Sequence, residues 1–198
     1  ADILRDHADR IVPVVLDESG GKACALNEAI KHATGDILVF LDVRQTVDAN
    51  AISELVACFA DPAVGAASGE LLLEAAPGEP SADALGIYWK IEKLVRRLES
   101  ASGSVVGVTG AIYAIRRELV QPLFPGALSR DFAAPLIAHE AGFRSVSVSD
   151  ALCLVPRSRS LDAEFRRKIR TMDRGLDTLE HMAHLLNPLR HGVFAWML

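Results

Sequence analysis

Four groups of residues in this chain could do chemistry, and they are spread over most of its length. Asp42 directly follows the apolar run ILVFL, and Asp131 stands between a Pro/Gly-containing stretch and an apolar segment. Lys22 follows a Gly-Gly pair, and four cations occupy residues 166–170, RRKIR. A carboxylate at the end of a buried strand needs a cation, a metal ion or several donors. Clustered arginines and lysines repel one another and therefore favour an anionic partner such as a pyrophosphate.

Each of these groups also has a purely structural interpretation. Asp42 could cap the turn after its strand, and Asp131 is suited to cap the helix that follows it. The Gly-Gly-Lys segment lacks the GxxxxGK[ST] spacing of a P-loop, although a helix N-terminus at this place would favour an anion. The basic run 166–170 could be a solvated helix face. Spacing alone leaves these alternatives open.

Histidine and cysteine spacing gives little sign of a metal site. The only histidines at helical ligand spacing are His181 and His184, which are interpreted as surface residues and not as metal ligands. The three cysteines lie far apart with no CxxC motif. They are expected to be small buried side chains in a reducing compartment.

Length and charge limit the class of protein. The chain has 198 residues, 24% of them charged and 50% hydrophobic, which predicts one folded domain rather than a disordered or coiled-coil segment. The formal charge of −5 argues against a dedicated nucleic-acid binder, so no nucleic-acid partner is expected. No run of about 18 apolar residues is present that would span a bilayer.

The elements that must position these residues alternate between strands and helices. The run 37–41 predicts a central parallel strand covered on both faces, with Asp42 at its carboxyl end, where open α/β sheets bind ligands. The overall prediction is an α/β fold with a mostly parallel sheet flanked by helices. Further strands are predicted at 11–16, 64–73, near 115 and at 145–148. Helices are predicted at 1–9, 22–34, 51–59, 85–98, 132–141 and 161–186, and loops at 75–84 and 122–129.

The order of the motifs resembles family 2 glycosyltransferases of the GT-A (Rossmann-like) fold, the inverting group that includes cellulose and hyaluronan synthases. Residues 21–29, GKACALNEA, are similar to the family's GKxxALNxA segment, and 34–42, TGDILVFLD, to the strand leading into its DxD motif. Residues 108–111, VTGA, followed by IRR, resemble the segment near the acceptor site. Residues 129–131, SRD, are similar to the ED motif, and 167–171, RKIRT, stand where the family has QxxRW.

The resemblance implies a reaction and a role for each candidate residue. A sugar would pass from a nucleotide-diphospho-sugar, expected to be a UDP-sugar, to an acceptor hydroxyl with inversion. Asp131 would be the general base, and Asp42 would bind Mg²⁺ or Mn²⁺. The donor and its diphosphate would be bound by Lys22, Asp42, Arg44, Arg167 and Arg170. The acceptor site would include Gly110 and Ala111.

Three departures from the family pattern bear on activity. The DxD motif reads Asp42-Val43-Arg44, so weakened metal affinity is expected. Arg130 replaces the first acid of the ED motif, and Arg167 and Thr171 replace the Gln and Trp of QxxRW. These departures keep open a second hypothesis, a non-catalytic binding or scaffold domain. A dinucleotide-binding oxidoreductase is disfavoured because no GxGxxG follows a strand.

The resemblance also implies a membrane-linked parent protein acting at the cytoplasmic face. We expect this chain to be one partial glycosyltransferase domain, residues 1–198, without the first nucleotide-binding strands and with 185–198 approaching a membrane-proximal segment. The acceptor would be a carbohydrate or a lipid-linked sugar. On that expectation, the 198 residues alone would have little or no activity, and exposed sheet edge would favour self-association.

Overall fold

A computed structural model describes residues 10–18, 20–43, 45–73, 83–120, 125, 128–155 and 161–198 of the chain. Helices and strands alternate along most of this length, as the sequence predicts. Seven α-helices are described: α1 Gly21–His32, α2 Ala51–Ala57, α3 Asp83–Ala101, α4 Arg130–Glu140, α5 Leu161–His181, α6 Pro188–His191 and α7 Val193–Met197. Short 3₁₀ turns follow α2, the fourth strand and α5, at Cys58–Ala60, Arg117–Val120 and Ala183–Leu186.

Five strands form a single mixed sheet in the described part of the chain. They are β1 Ile37–Leu41, β2 Thr46–Val47, β3 Val64–Leu73, β4 Ile112–Arg116 and β5 Arg144–Val155. Their order across the sheet is β1, β4, β3, β5, β2. Only β3 and β5 run parallel; β1 pairs with β4, β4 with β3, and β5 with β2 in antiparallel fashion. The α/β class is confirmed, but the prediction of a mostly parallel sheet is wrong.

Strand β1 lies at the edge of this sheet and not at its centre. Its partner in the described residues is β4 alone, with Val39 opposite Ala114. Of its five residues only Leu38 is buried. A continuous apolar run is equally compatible with either strand direction, because it reports that both faces are covered and not which way the neighbour runs.

The predicted strand at 11–16 does not form. Residues 11–16 have no ladder pairing among the described residues, and Val12 and Val15 are 75% and 85% exposed. A β-branched run satisfies only the local preference for extended backbone, whereas a strand also needs a partner for its N–H and C=O groups. The predicted helix 1–9 lies outside the described residues, as do most of the predicted loops 75–84 and 122–129.

The other predicted helices and strands form as predicted, but most of them begin or end at different residues. The strand predicted at 145–148 extends over twelve residues, and the helix predicted at 161–186 stops at His181 before a 3₁₀ turn. Helix α4 begins at Arg130, so Asp131 is in its first turn and Ser129 precedes it as N-cap. No disulfide is formed by the three cysteines; Cys153 is buried as expected, but Cys24 is exposed.

The sheet separates two apolar cores. On one face Ile112 and Ala114 of β4 pack with Leu55 of α2. On the other face the alternate residues Tyr113 and Ile115 pack in the cluster that includes Ile30 of α1 and Ala134 of α4. This alternation follows from the two-residue repeat of a strand. A third cluster, Leu136, Met182, Leu185 and Phe194, packs the C-terminal turns against α4.

Candidate functional site

One cavity of about 240 Å³ opens where α1, the end of β1, the start of α4 and α5 meet. The carboxyl end of β1 therefore faces the two helices that carry the polar candidates. The lining combines cations, a single carboxylate and an apolar floor. Its residues are Lys22, Ala23, Leu26, Phe40, Leu41, Gly110, Tyr113, Leu128, Ser129, Arg130, Asp131, Arg167, Arg170, Thr171 and Arg174.

Asp131 presents one carboxylate oxygen to hydrogen-bond donors and the other to a glycine. Its Oδ1 accepts from the hydroxyl of Ser129 and from the backbone N–H of Phe132, the latter at 3.2 Å. A Cβ built on Gly110 would lie 2.5 Å from Oδ2. Among the described residues Oδ2 has no hydrogen-bond partner. The carboxylate is thus oriented through one oxygen, and the other is available to accept a proton.

The segment 108–111 is fixed by hydrogen bonds from several directions. Val108 N donates to the backbone oxygen of Asp131 at 3.3 Å, and Thr109 N donates to Oγ of the fully buried Ser68 at 2.9 Å. Asp42 N donates to the backbone oxygen of Ala111 at 3.2 Å. These bonds place Gly110 between the end of β1 and the start of α4. The segment consequently sets the space in front of Asp131.

Lys22 and Asp42 form an ion pair beside the cavity. Nζ of Lys22 lies 2.6 Å from Oδ1 of Asp42, and both side chains are partly exposed. Helix α1 starts at Gly21, whose φ of 76° favours glycine, and this start directs Lys22 across the end of β1. Within the described residues the Asp42 side chain makes no capping hydrogen bond, and its partner is the ammonium group of Lys22. Arg44 lies outside the described residues.

Helix α5 contributes a row of cations on one face. Arg167, Arg170 and Arg174 recur at the three- and four-residue spacing of a helix and all line the cavity. The far end of the row is anchored by Thr178, which is fully buried. Its hydroxyl donates to the backbone oxygen of Arg174 at 2.7 Å and accepts from Ser129 N at 2.9 Å. This pair of bonds holds the Arg174 turn against the start of α4.

The apolar floor of the cavity is an aromatic stack. The rings of Phe40 and Tyr113 are 4.8 Å apart and nearly parallel. Burial, with a smaller contribution from the nearby charge of Asp131, raises the pKa of the Tyr113 phenol well above its usual value. The phenol therefore stays neutral at physiological pH. It can donate a hydrogen bond in the cavity but does not supply an anion.

Arg130 is the least compensated charge in this region. Its Nε and Nη2 are buried and have no hydrogen-bond partner among the residues that the structure describes. Burial lowers the pKa of the Arg130 guanidinium. In the part of the chain that the structure describes, Arg130, Arg170 and Arg174 make no ion pair, whereas Lys22 is matched by Asp42.

The structure brings together most of the predicted site residues. Lys22, Gly110, Asp131, Arg167 and Arg170 line one cavity, and Asp42 contacts it through Lys22. Ala111 is buried beneath it at 5% exposure and does not line it. Sequence reasoning missed Ser129, Tyr113 and Arg174 as lining residues. Arg174 could have been found from its helical spacing to Arg170, but the orientation of Ser129 and Tyr113 depends on the folded chain.

The described residues contain neither a membrane-spanning helix nor a cluster of metal-ligating side chains. None of the helices there is both long enough and apolar enough to cross a membrane. No group of three or more His, Cys, Asp or Glu side chains in those ranges is arranged to hold a metal ion. Among the histidines, His139 and His191 are 3.2 Å apart, and His184 contacts Glu140.

The mixed sheet between helical layers, with a polar cavity at the carboxyl end of β1, has the architecture of the GT-A fold. A mannosyltransferase of Pyrobaculum calidifontis, solved in complex with GDP-Man and Mn²⁺, is similar over 98% of this chain and 58% of its own, with a TM-score of 0.64 and 25% identity. The family described as "Glycosyltransferase like family 2" matches residues 1–174. The chain belongs to this family.

Curated relatives cover most of the chain at low identity. An N-acetylglucosaminyltransferase of Azorhizobium caulinodans is 26% identical over 162 residues, which are 75% of this chain and 41% of that protein. A poly-beta-1,6-N-acetyl-D-glucosamine synthase of Staphylococcus aureus is 25% identical over 185 residues, or 89% of this chain and 43% of that protein. The chain thus spans about two fifths of the length of these relatives.

Proposed function

We propose that this chain carries the transfer site of a glycosyltransferase that moves a sugar from a nucleotide-diphospho-sugar to an acceptor hydroxyl with inversion. The observation that carries the proposal is the cavity itself. An oriented carboxylate with a free oxygen, Asp131, shares it with arginines of α5 on the facing wall. A base for the acceptor and cations for the leaving diphosphate are the groups that such a reaction needs.

In the proposed reaction the acceptor oxygen attacks the anomeric carbon of the donor. The new C–O bond forms while the bond from that carbon to the diphosphate oxygen breaks, with inversion at the carbon. The acceptor proton passes to Oδ2 of Asp131, and the bonding electrons leave with the diphosphate. Arg167 and Arg170 neutralise the developing charge, and Lys22 is within reach of the same region from α1.

A divalent ion, Mg²⁺ or Mn²⁺, is part of the proposal. Mg²⁺ is commonly held by one or two carboxylates together with substrate phosphates and waters, and Asp42 supplies one such carboxylate. The residues present fit that arrangement, with Asp42 as the protein ligand and the donor diphosphate as the other. Bound there, the ion would neutralise diphosphate charge. Because Lys22 already pairs with the Asp42 carboxylate, we expect the protein to bind the divalent ion weakly.

The donor is proposed to be a UDP-sugar of the N-acetylglucosamine type, and the acceptor a carbohydrate or lipid-linked sugar. The support is the naming of the curated relatives, which are N-acetylglucosaminyltransferases and a poly-N-acetylglucosamine synthase. The Pyrobaculum relative was solved with GDP-Man, which makes a guanine nucleotide the competing donor. Action at the cytoplasmic face of a membrane and self-association of the 198-residue chain remain proposals alongside this one.

A non-catalytic binding domain is the second candidate. The observations that favour it are the Lys22–Asp42 pair at the expected metal position and the cation Arg130 beside the base. Such a domain would bind nucleotide-sugar without transferring the sugar.

The test is transfer by the purified full-length protein with matched donors. UDP-N-acetylglucosamine and GDP-mannose are supplied with Mg²⁺ or Mn²⁺, and NMR gives the anomeric configuration of the product. We expect transfer from the UDP-sugar and an inverted linkage. Donor binding without any transfer would favour the scaffold, and a retained configuration would overturn the assigned mechanism.

A further inference from the structure

The cavity holds more positive charge than its own carboxylate balances. Its lining includes five cations, Lys22, Arg130, Arg167, Arg170 and Arg174, against one carboxylate, Asp131. Asp42 balances Lys22 from outside the lining. Arg130, Arg170 and Arg174 make no ion pair within the described residues, so these three cations exceed the single acid, and a bound divalent ion would increase the excess. Charge held in a partly enclosed site favours an anion there.

The arginines that line the cavity, three on α5 and Arg130 on α4, are divided between its two ends. At 1.5 Å rise per residue, Arg174 lies about 10 Å along the axis from Arg167 and about 6 Å from Arg170. Arg174 is at the end of the row that Thr178 fastens to Ser129, which precedes Arg130 and Asp131. Arg130 and Arg174 therefore belong to the end of the cavity that contains the base. Arg167 lies toward the other end.

Arg130 is half-buried, and its position carries an energetic cost in the absence of an anion. Buried guanidinium N–H groups that lack acceptors destabilise the folded state. Nε and Nη2 of Arg130 are in this situation, and burial lowers the pKa of the group. The neighbouring Asp131 accepts hydrogen bonds from Ser129 and Phe132 and, within the described residues, none from Arg130. An anionic ligand at this end of the cavity would offset the cost.

We infer that the acceptor carries an anionic group, a phosphate or a carboxylate, and that Arg130 and Arg174 bind it beside the reacting hydroxyl. Arginine suits either anion because its planar guanidinium can make two parallel hydrogen bonds. Arg130 and Arg174 are then specificity-determining residues, separate from the arginines proposed for the donor. This inference rests on the proposed function, since it assumes that donor and acceptor share the cavity.

The experiment measures binding of radiolabelled inorganic phosphate to the full-length protein by equilibrium dialysis, with and without saturating UDP and Mn²⁺. We expect phosphate to bind while UDP is bound. Arg130→Gln and Arg174→Gln should each weaken phosphate binding by about tenfold or more, the effect of losing a charge-assisted hydrogen bond. The matched control, Arg97→Gln, removes an exposed arginine of α3 outside the cavity and should change nothing.

Displacement by glycerol 3-phosphate and by glycerate then distinguishes a phosphate ester from a carboxylate as the recognised group. Phosphate binding that is indifferent to Arg130→Gln, or that UDP abolishes by competition, would overturn the inference. Failure of UDP to bind would instead count against the proposed function. The effect of Arg130→Gln and Arg174→Gln on phosphate binding would still test the inference in that case.

Melting temperatures show whether a substitution has caused a folding defect. Arg130→Gln removes a half-buried guanidinium with two N–H groups that lack acceptors, so it should melt at the same temperature as the wild type or higher when no phosphate is present. With saturating UDP and Mn²⁺ occupying the donor site, phosphate should raise the melting temperature of the wild type and leave that of Arg130→Gln unchanged. An equal rise in both proteins would contradict the assignment.

Discussion

The carboxylate of Asp131 lies so close to Gly110 that a Cβ built on the glycine would come within 2.5 Å of Oδ2. Gly110 is therefore required by space and not by backbone conformation, since its φ is not in the left-handed region. The contact joins two motifs that are 21 residues apart in sequence. It defines which carboxylate oxygen lies against the 108–111 segment.

Gly110→Ala should impair transfer without unfolding the protein. The added methyl group must displace the Asp131 carboxylate, and a displacement of about 1 Å at a reacting group costs roughly 100-fold in rate. Steady-state kinetics of the full-length variant measure the loss. Gly107→Ala is the matched control, because a Cβ built on Gly107 meets nothing within 4 Å. Equal activity of the two variants would show that the contact is unimportant.

Thr178→Val should destabilise the junction of α4 and α5. Valine keeps the volume but leaves the N–H of Ser129 without its acceptor, which costs about 1–3 kcal/mol when the group is buried. Urea unfolding gives the free energy of unfolding. Thr171→Val is the control on the same helix, because Thr171 is exposed and its hydroxyl bonds only to the backbone oxygen of Arg167. A smaller loss at Thr178 than at Thr171 would contradict the role of the junction.

Lys22→Met should strengthen the binding of Mn²⁺ in the absence of nucleotide. The substitution frees Oδ1 of Asp42 from the ammonium that now lies 2.6 Å away. Because the pair is partly exposed, the gain should not exceed about fivefold, equivalent to at most about 1 kcal/mol. Electron paramagnetic resonance of Mn²⁺ measures it, with Lys31→Met, which breaks the exposed pair to Glu28, as control. Unchanged or weaker binding in Lys22→Met would argue that Asp42 is not a metal ligand.

The packing of the C-terminal turns should weaken in acid. His139 stacks on Phe194 and lies 3.2 Å from His191, and burial together with the nearby His191 lowers the pKa of His139. The unfolded chain, with a His pKa of about 6.5, then binds more protons than the folded chain, so stability is present above that pH and declines below it.

Melting temperatures between pH 7.5 and 5 measure this decline. His139→Phe preserves the stack and should flatten the acid limb of the curve, whereas His32→Gln, an exposed histidine of α1, should not. The interpretation fails if removing His139 leaves the slope unchanged.

Sequence reasoning predicted the type of most elements because apolar periodicity reports burial. It could not give strand direction, since β1 is apolar whether its neighbour β4 runs with it or against it. It was wrong at 11–16, where Val12 and Val15 satisfy a local preference without a partner strand. Pairing is a property of the folded chain that no single segment encodes.

The candidate site, like the fold, could be predicted only in part. Ordered motifs identified Asp131, Lys22 and Arg170, all of which line the cavity. The burial of Arg130 and the orienting hydroxyl of Ser129 could not be predicted, because each depends on how α4 enters between the sheet and α5. Motif matching predicts which residues lie together, whereas the folded structure is needed to show which of their atoms face the cavity.

The most direct test of the account is Asp131→Asn in the full-length protein, with sugar transfer and UDP binding measured on the same sample. Asparagine is nearly the same size but cannot accept the acceptor proton, so transfer should fall by about 100-fold to 10,000-fold while UDP binding is retained. Asp150→Asn, an exposed carboxylate on β5, is the control and should transfer normally. Transfer by Asp131→Asn at the wild-type rate would contradict the assignment of Asp131 as the base.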